Sequence, residues 1–183
     1  SEAFIVDLSN GNYHLIEKKV VIEGQKTAYF SEKFLEITVP VTTKEQIKEI
    51  KKTVTHIAKK HDEEPYKALA TTQQAIFHQL EEQDEIDAAA IFDKVFEEKP
   101  LAREAAQLAI TEERVPEKIA VTNVPKYERK YSKQKFKLDN GIEITIPSEI
   151  YENKEMVEFI NNPDGSVSVL IKNIESILNK FNA

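Results

Sequence analysis

Residues 135–146 read KFKLDNGIEITI, in which two alternating runs flank the triplet Asp139-Asn140-Gly141. Asp-Asn-Gly supplies the positive φ angles of a tight turn, so the stretch predicts a β-hairpin with one buried and one wet face. A long helical middle precedes it, and that change of period makes the chain α+β. Downstream, Pro147 and SEIYE (148–152) predict one helical turn, and MVEFI (156–160) a strand. AsnProAspGly (162–165) then closes a second hairpin onto SVSVLI (166–171), with Pro early in the turn and Gly where φ is positive. Ile174, Ile177, Leu178 and Phe181 fall at helical spacing and predict a terminal helix over 174–181.

Upstream, AFIVDL (3–8), SNGN (9–12) and YHLIEKKVVI (13–22) predict an N-terminal β-hairpin on the same turn chemistry. In residues 28–35, the pairs Tyr29/Lys33 and Phe30/Phe34 stand four apart and predict a short helix. From Thr43, Ile47, Ile50, Val54, Ile57 and Ala58 form one stripe, with Thr43 as N-cap and Lys59–Lys60 in the last turn, where cations suit the helix dipole. Pro65 opens a second helix whose apolar face carries Leu69, Ala70, Ile76, Phe77 and Leu80. Helices over 84–96 and 100–110 follow, separated at Pro100. The expectation is an N-terminal β-hairpin, a central helical bundle, and a small C-terminal antiparallel sheet with a terminal helix. It divides into a hairpin-plus-helical region (1–116) and a C-terminal β-hairpin region (117–183), with a single compact unit as the alternative.

With 183 residues, 40% hydrophobic and 31% charged, the chain has the composition of a soluble globular protein. No apolar run approaches the roughly 18 residues of a membrane span, and the start SEAFIVDL lacks the basic and long apolar regions of a signal peptide. The absence of Cys fits a reducing cytoplasm. Ser1 opens the chain directly before a strand and Met156 is the sole Met, which suggests a fragment of a longer polypeptide, with removal of a start Met as the alternative.

Catalytic signatures are missing. His14, His56, His61 and His78 lie on different predicted elements, and His56 and His61 stand five apart, which is not helical zinc-pair spacing. The phosphate-cradling and nucleophile-elbow glycine motifs do not occur, and only four Gly exist. The acidic run EEQDEID (81–87) lacks the loop glycine and terminal Glu of a calcium loop, and reads as a solvated linker leading into a helix. The expectation is a protein that is not an enzyme and holds no cofactor or metal.

A net charge of −7 argues against a uniformly cationic nucleic-acid coat. One segment departs from that background. Residues 126–137 place Lys126, Arg129, Lys130, Lys133, Lys135 and Lys137 against the single acid Glu128, with Tyr127, Tyr131 and Phe136 interleaved. Cations release counterions from phosphate and aromatic faces stack on bases, so Lys126, Tyr127, Arg129, Lys130, Tyr131, Lys133, Lys135 and Lys137 are the candidate nucleic-acid contacts. The competing reading is a solvated linker feeding a hairpin whose edge lysines discourage aggregation. A secondary basic face, Lys44, Lys48, Lys51, Lys52 and Lys59, lies opposite the apolar stripe of its helix, where Glu45 and Glu49 favour an ordinary wet surface.

The ending KFKLDNGIEITIPSEIYENKEMVEFINNPDGSVSVLIKNI resembles the C-terminal end of the bacterial nucleoid-associated, NdpA-like family, and YFSEKFL followed by a lysine-rich amphipathic helix resembles its middle region. The resemblance implies the C-terminal half of a longer protein in the cytoplasm and nucleoid, with DNA as partner, directly or through the N-terminal half, and no membrane. It implies no enzymatic activity and assigns no contact residues. The alternative expectation is an oligomerisation or protein–protein interaction module without direct DNA contact, in which the chain forms a homo-oligomer.

Overall fold

The computed structural model describes residues 2–11, 13–22, 24–35 and 41–179. The chain divides into two compact units, Ser1–Thr42 and Thr43–Ala183. In the first, β1 (Ala3–Val6) pairs antiparallel with β2 (Tyr13–Ile16), Phe4 facing Leu15 and Ile5 facing His14. The Asp7 carboxylate accepts from Ser9 N (2.9 Å) and Asn10 Nδ2 (2.8 Å), so the connection is a wider, self-bonded loop. The run 13–22, expected as one strand, is interrupted. β3 (Val20–Ile22) pairs separately with β4 (Gln25–Thr27), and Glu17, in the gap, accepts from Phe30 N (2.5 Å), Ser31 N (3.2 Å) and Ser31 Oγ (2.7 Å). That carboxylate caps the expected short helix, a wide turn over Tyr29–Phe34 closed by Leu35 N donating to Phe30 O at 2.8 Å.

The second unit holds the core. α1 (Thr43–Lys60) buries the stripe expected of it, Ile47, Ile50, Val54, Ile57 and Ala58, and α2 (Pro65–Glu82) starts at its proline and buries Ala70, Ile76, Phe77 and Leu80. Between them Asp62 takes φ 56°, and Glu63 N donates to Ala58 O at 2.9 Å, which ends α1 in a left-handed cap. α3 (Ala88–Val95) is capped by the Asp87 carboxylate on Ala90 N (2.9 Å), and α4 (Pro100–Thr111) packs on it through Ala102, Ala106 and Ala109. Phe92 is fully buried among these helices, and a buried side chain of that size contributes roughly 1.5–3 kcal/mol over its exposed state.

Two expectations are corrected here. Residues 84–87 do not begin a helix: β5 (Glu85–Asp87) pairs antiparallel with β6 (Lys118–Ala120), Ile86 facing Ile119, and both isoleucines are buried. Burying that pair against α2 and α3 outweighs a helical first turn of acids, and the ribbon crosses the sequence division at residue 116. Residues 172–179 form no helix, and Ile174, Ile177 and Leu178 are exposed; Phe181 lies outside the described residues. An amphipathic segment with nothing against its apolar face gains too little to pay for helix nucleation.

The C-terminal ribbons match their turn chemistry. α5 (Val124–Tyr131) leads into β7 (Lys133–Lys137), which pairs with β8 (Glu143–Pro147) around Asp139-Asn140-Gly141. α6 (Ser148–Glu152) is the expected single turn, and β9 (Val157–Asn161) pairs with β10 (Val167–Ile171). Gly165 sits at φ 82° in the closing turn, where the Asp164 carboxylate accepts from Ser166 N (2.9 Å) and Oγ (2.7 Å). The architecture is α+β.

Candidate nucleic-acid interface

The basic segment is neither linker nor single patch. Asn123 caps α5 by accepting from Lys126 N (3.2 Å), and Pro125 stands in its first turn. Tyr127 and Tyr131, one turn apart, stack with ring centroids 6.3 Å apart and face the core. Tyr131 is only 7% exposed, and burial, with the neighbouring Tyr127, pushes its hydroxyl up to about 12. The expectation that Tyr131 offers a face to a base is therefore corrected, because its ring is part of the packed interior. Tyr127 is half-buried, and the ammonium of Lys126 stands 5.7 Å, and that of Lys130 5.9 Å, from its centroid. Lys130 also lies 5.2 Å from the Tyr131 centroid. These cation–π contacts fix both ammonium groups along the helix surface.

Past α5 the backbone is pinned. Gln73 Nε2 of α2 donates to Tyr131 O (3.1 Å) and Lys133 O (2.8 Å), and Ser148 donates through N to Ser132 O (2.9 Å) and through Oγ to Tyr131 O (2.8 Å). Gln134, buried, donates to Ala70 O at 3.0 Å. With Gln134 inward, strand alternation leaves Lys133, Lys135 and Lys137 exposed on the opposite side of β7. Lys137 faces Glu143 across the ribbon, and Lys135 faces Thr145. Arg129 is exposed on α5.

The secondary basic face joins the first. α2 packs against both α1 and α5, and this brings Lys44 and Lys51 of α1 within electrostatic reach of Lys130 of α5. Partial burial holds the Lys130 ammonium below its ordinary value, and repulsion from Lys44, Lys51 and Lys126 adds to it. Elsewhere on the surface lysines find acids: Lys52 with Glu49 (3.3 Å), Lys67 with Glu64 (2.5 Å), Lys99 with Glu63 (3.2 Å), Lys118 with Glu85 (2.8 Å) and Lys172 with Glu158 (2.6 Å). Among the described residues no such ion pair involves Lys44, Lys48, Lys51, Lys126 or Lys130. Of the secondary face, Lys52 is thus tied to its own helix, and Lys48 and Lys59 are exposed.

Beside this face lies a cleft of about 690 Å³ between α2 and the two C-terminal ribbons. Its floor includes Tyr66, Leu69 and Ile76 of α2, Phe136 of β7 and Phe159 of β9, and Lys51, Lys135 and Lys137 border it. Phe136 and Phe159 pack with centroids 5.1 Å apart, and Tyr151 and Tyr66 complete the aromatic cluster at 5.5 and 5.9 Å from Phe159. The Tyr66 hydroxyl is buried, and burial first, then the charge and hydrogen bonding of the nearby Glu64 carboxylate, push it up to about 12. The sequence names Leu69, Ile76, Phe136 and the three lysines separately but not Tyr66, Tyr151 or Phe159, and no local spacing joins them into one cleft, since they come from separate elements.

The histidines stay apart. His78 lies between Glu81 (3.3 Å) and Glu152 (2.8 Å), which ties α2 to α6, while His61 leaves Nε2 buried and unpartnered. Among the described residues no three His, Asp or Glu gather as a metal site, and no helix is long and apolar enough to cross a membrane.

Residues 1–179 match the family described as nucleoid-associated protein YejK. No curated protein and no solved structure matches the chain.

Proposed function

The chain belongs to the nucleoid-associated protein YejK family, and from that premise we propose that it contacts DNA directly, through phosphates held by Lys44 and Lys51 of α1 and Lys126 and Lys130 of α5. Lys48 and Arg129 extend the surface along the two helices, and Lys133, Lys135 and Lys137 extend it along β7. The role is one of binding in the bacterial nucleoid, within the cytoplasm, and not of catalysis.

The observation that carries this reading is the convergence of two lysine groups, distant in sequence, with no acid paired to them among the described residues. Clustered ammonium groups repel one another and lose solvation, a cost that an incoming polyanion reverses. The chain as a whole carries −7, so attraction is local, and the acidic remainder keeps affinity modest. No base-reading group stands among the four lysines, so binding is indifferent to sequence.

The test is fluorescence anisotropy with a labelled duplex across a salt series. The four phosphate contacts contribute about −3.6 to the slope of log affinity against log salt, and replacing all four lysines with Gln removes that share. An unchanged slope in that variant refutes the assignment.

A second reading is an assembly module. Ile5, Leu8, Val21, Tyr29 and Phe34 of the first unit are exposed, and exposed apolar side chains are what an interaction surface would use. Sedimentation equilibrium decides it: a homo-oligomer that dissociates on Val21→Glu or Phe34→Glu supports assembly through this surface, and a monomer removes it.

A further inference from the structure

The aromatic cleft beside the lysines has a different chemistry from a duplex-binding face. Duplex phosphates need only exposed cations, whereas this cleft offers an apolar floor of Tyr66, Phe136 and Phe159, recessed between α2 and two ribbons, with ammonium groups along its border. Its volume of about 690 Å³ falls within the range of sites that enclose one small organic ligand. Asp139 also borders the cleft, so the border carries three cations against one anion.

We propose that this cleft receives an unpaired base of single-stranded nucleic acid, with the flanking phosphates on Lys51, Lys135 and Lys137. Lys51 belongs to both surfaces, since it borders the cleft and stands in the α1–α5 lysine cluster, so a strand leaving the cleft continues onto that cluster. Aromatic side chains accept any base by its π-face, and lysines accept any phosphate, so the site reads strandedness and not sequence. A base inside a duplex is stacked on both sides and cannot enter. The inference rests on the DNA-binding reading above and adds a preference for melted DNA or for RNA.

The experiment compares a labelled oligo-dT of about 12 nucleotides, within the usual footprint of single-strand binders, with a duplex of equal length, on the full chain. Two variants alter the cleft without touching the lysines. Phe159→Leu keeps apolar volume and removes a stacking face, and Val167→Trp, at an exposed border position, fills the entrance. Loss of one base–aromatic stack weakens oligo-dT binding about 5- to 150-fold, while the duplex affinity of both variants stays within twofold of the parent. Thermal melts establish that each variant is folded, and Val167→Trp serves if Phe159→Leu is not. If both variants bind oligo-dT as the parent does while duplex binding persists, the cleft inference falls alone. If the parent binds neither probe, the DNA-binding reading falls with it. Displacement of an environment-sensitive apolar dye from the cleft by an acidic–apolar peptide, and not by oligo-dT, makes the cleft a peptide groove and overturns the inference.

Discussion

Replacing Lys44 and Lys51 together with Gln is expected to stabilise the fold while weakening DNA binding. Both ammonium groups repel Lys130, whose own charge is already disfavoured by partial burial, and neither is paired with an acid among the described residues. Exposed charge pairs are worth about 0.2–1 kcal/mol each, so relief of two repulsions, less what solvent already screens, amounts to about 0.5 kcal/mol. For a domain of this size that corresponds to roughly 1–2 °C in melting temperature. The same substitutions remove two phosphate contacts, each giving about 0.9 decade at 0.1 M salt, so affinity falls roughly 60-fold. The sign of the pH effect follows from Lys130. Its folded-state pKa lies below the unfolded value, so between the two the unfolded chain binds more protons and stability rises with pH; the double variant flattens that rise. Urea titrations and anisotropy on the same preparations check both arms. Lys118→Gln is the control, since it breaks the pair with Glu85 and should lower stability slightly with no effect on DNA. A double variant that is destabilised, or that binds DNA as the parent does, refutes the reasoning.

Alkaline titration gives the second expectation: Tyr131 ionises near 12 when folded against about 10 when unfolded, so the folded state retains the proton longer and stability falls as pH rises through that window. Two pKa units amount to about 2.7 kcal/mol once pH exceeds both values, of which about 1.8 kcal/mol falls between about pH 9 and pH 11.5, and Tyr131→Phe should remove that share of the loss in unfolding free energy measured at those two pH values. Gln73→Ala strips a donor from the Tyr131 and Lys133 carbonyls, and should cost about 1–2 kcal/mol by urea unfolding and weaken DNA binding by loosening the junction of α5 and β7. Gly165→Val should cost about 1–2 kcal/mol in a thermal melt, because a β-branched residue is strained at φ 82°, whereas Asp164→Ala should be mild.

Local chemistry fixed a good part of this molecule. The limits of α1, its buried stripe, the start of α2 at Pro65, the single turn at 148–152 and the two C-terminal hairpins are all legible, since each depends on residues within one or two turns of one another. α5 was legible too in principle, through Asn123 as cap and Pro125 in the first turn, but the density of lysine in 126–137 drew the reading toward charge and away from conformation. Other features were not accessible. Glu85–Asp87 became a strand because Lys118–Ala120, far along the chain, buries Ile119 against Ile86, and 172–179 form no helix because none of the described residues covers Ile177 and Leu178. Which lysines are neighbours was likewise a matter of packing: the sequence shows two basic stretches, and only the seating of α2 against both α1 and α5 brings Lys44 and Lys51 within electrostatic reach of Lys130. Burial also decided Tyr131, whose composition suits stacking on a base but whose ring is spent on the core. Periodicity reports which face of an element is apolar; which faces meet depends on the hydrophobic burial of the whole unit, and that is not written in any one segment.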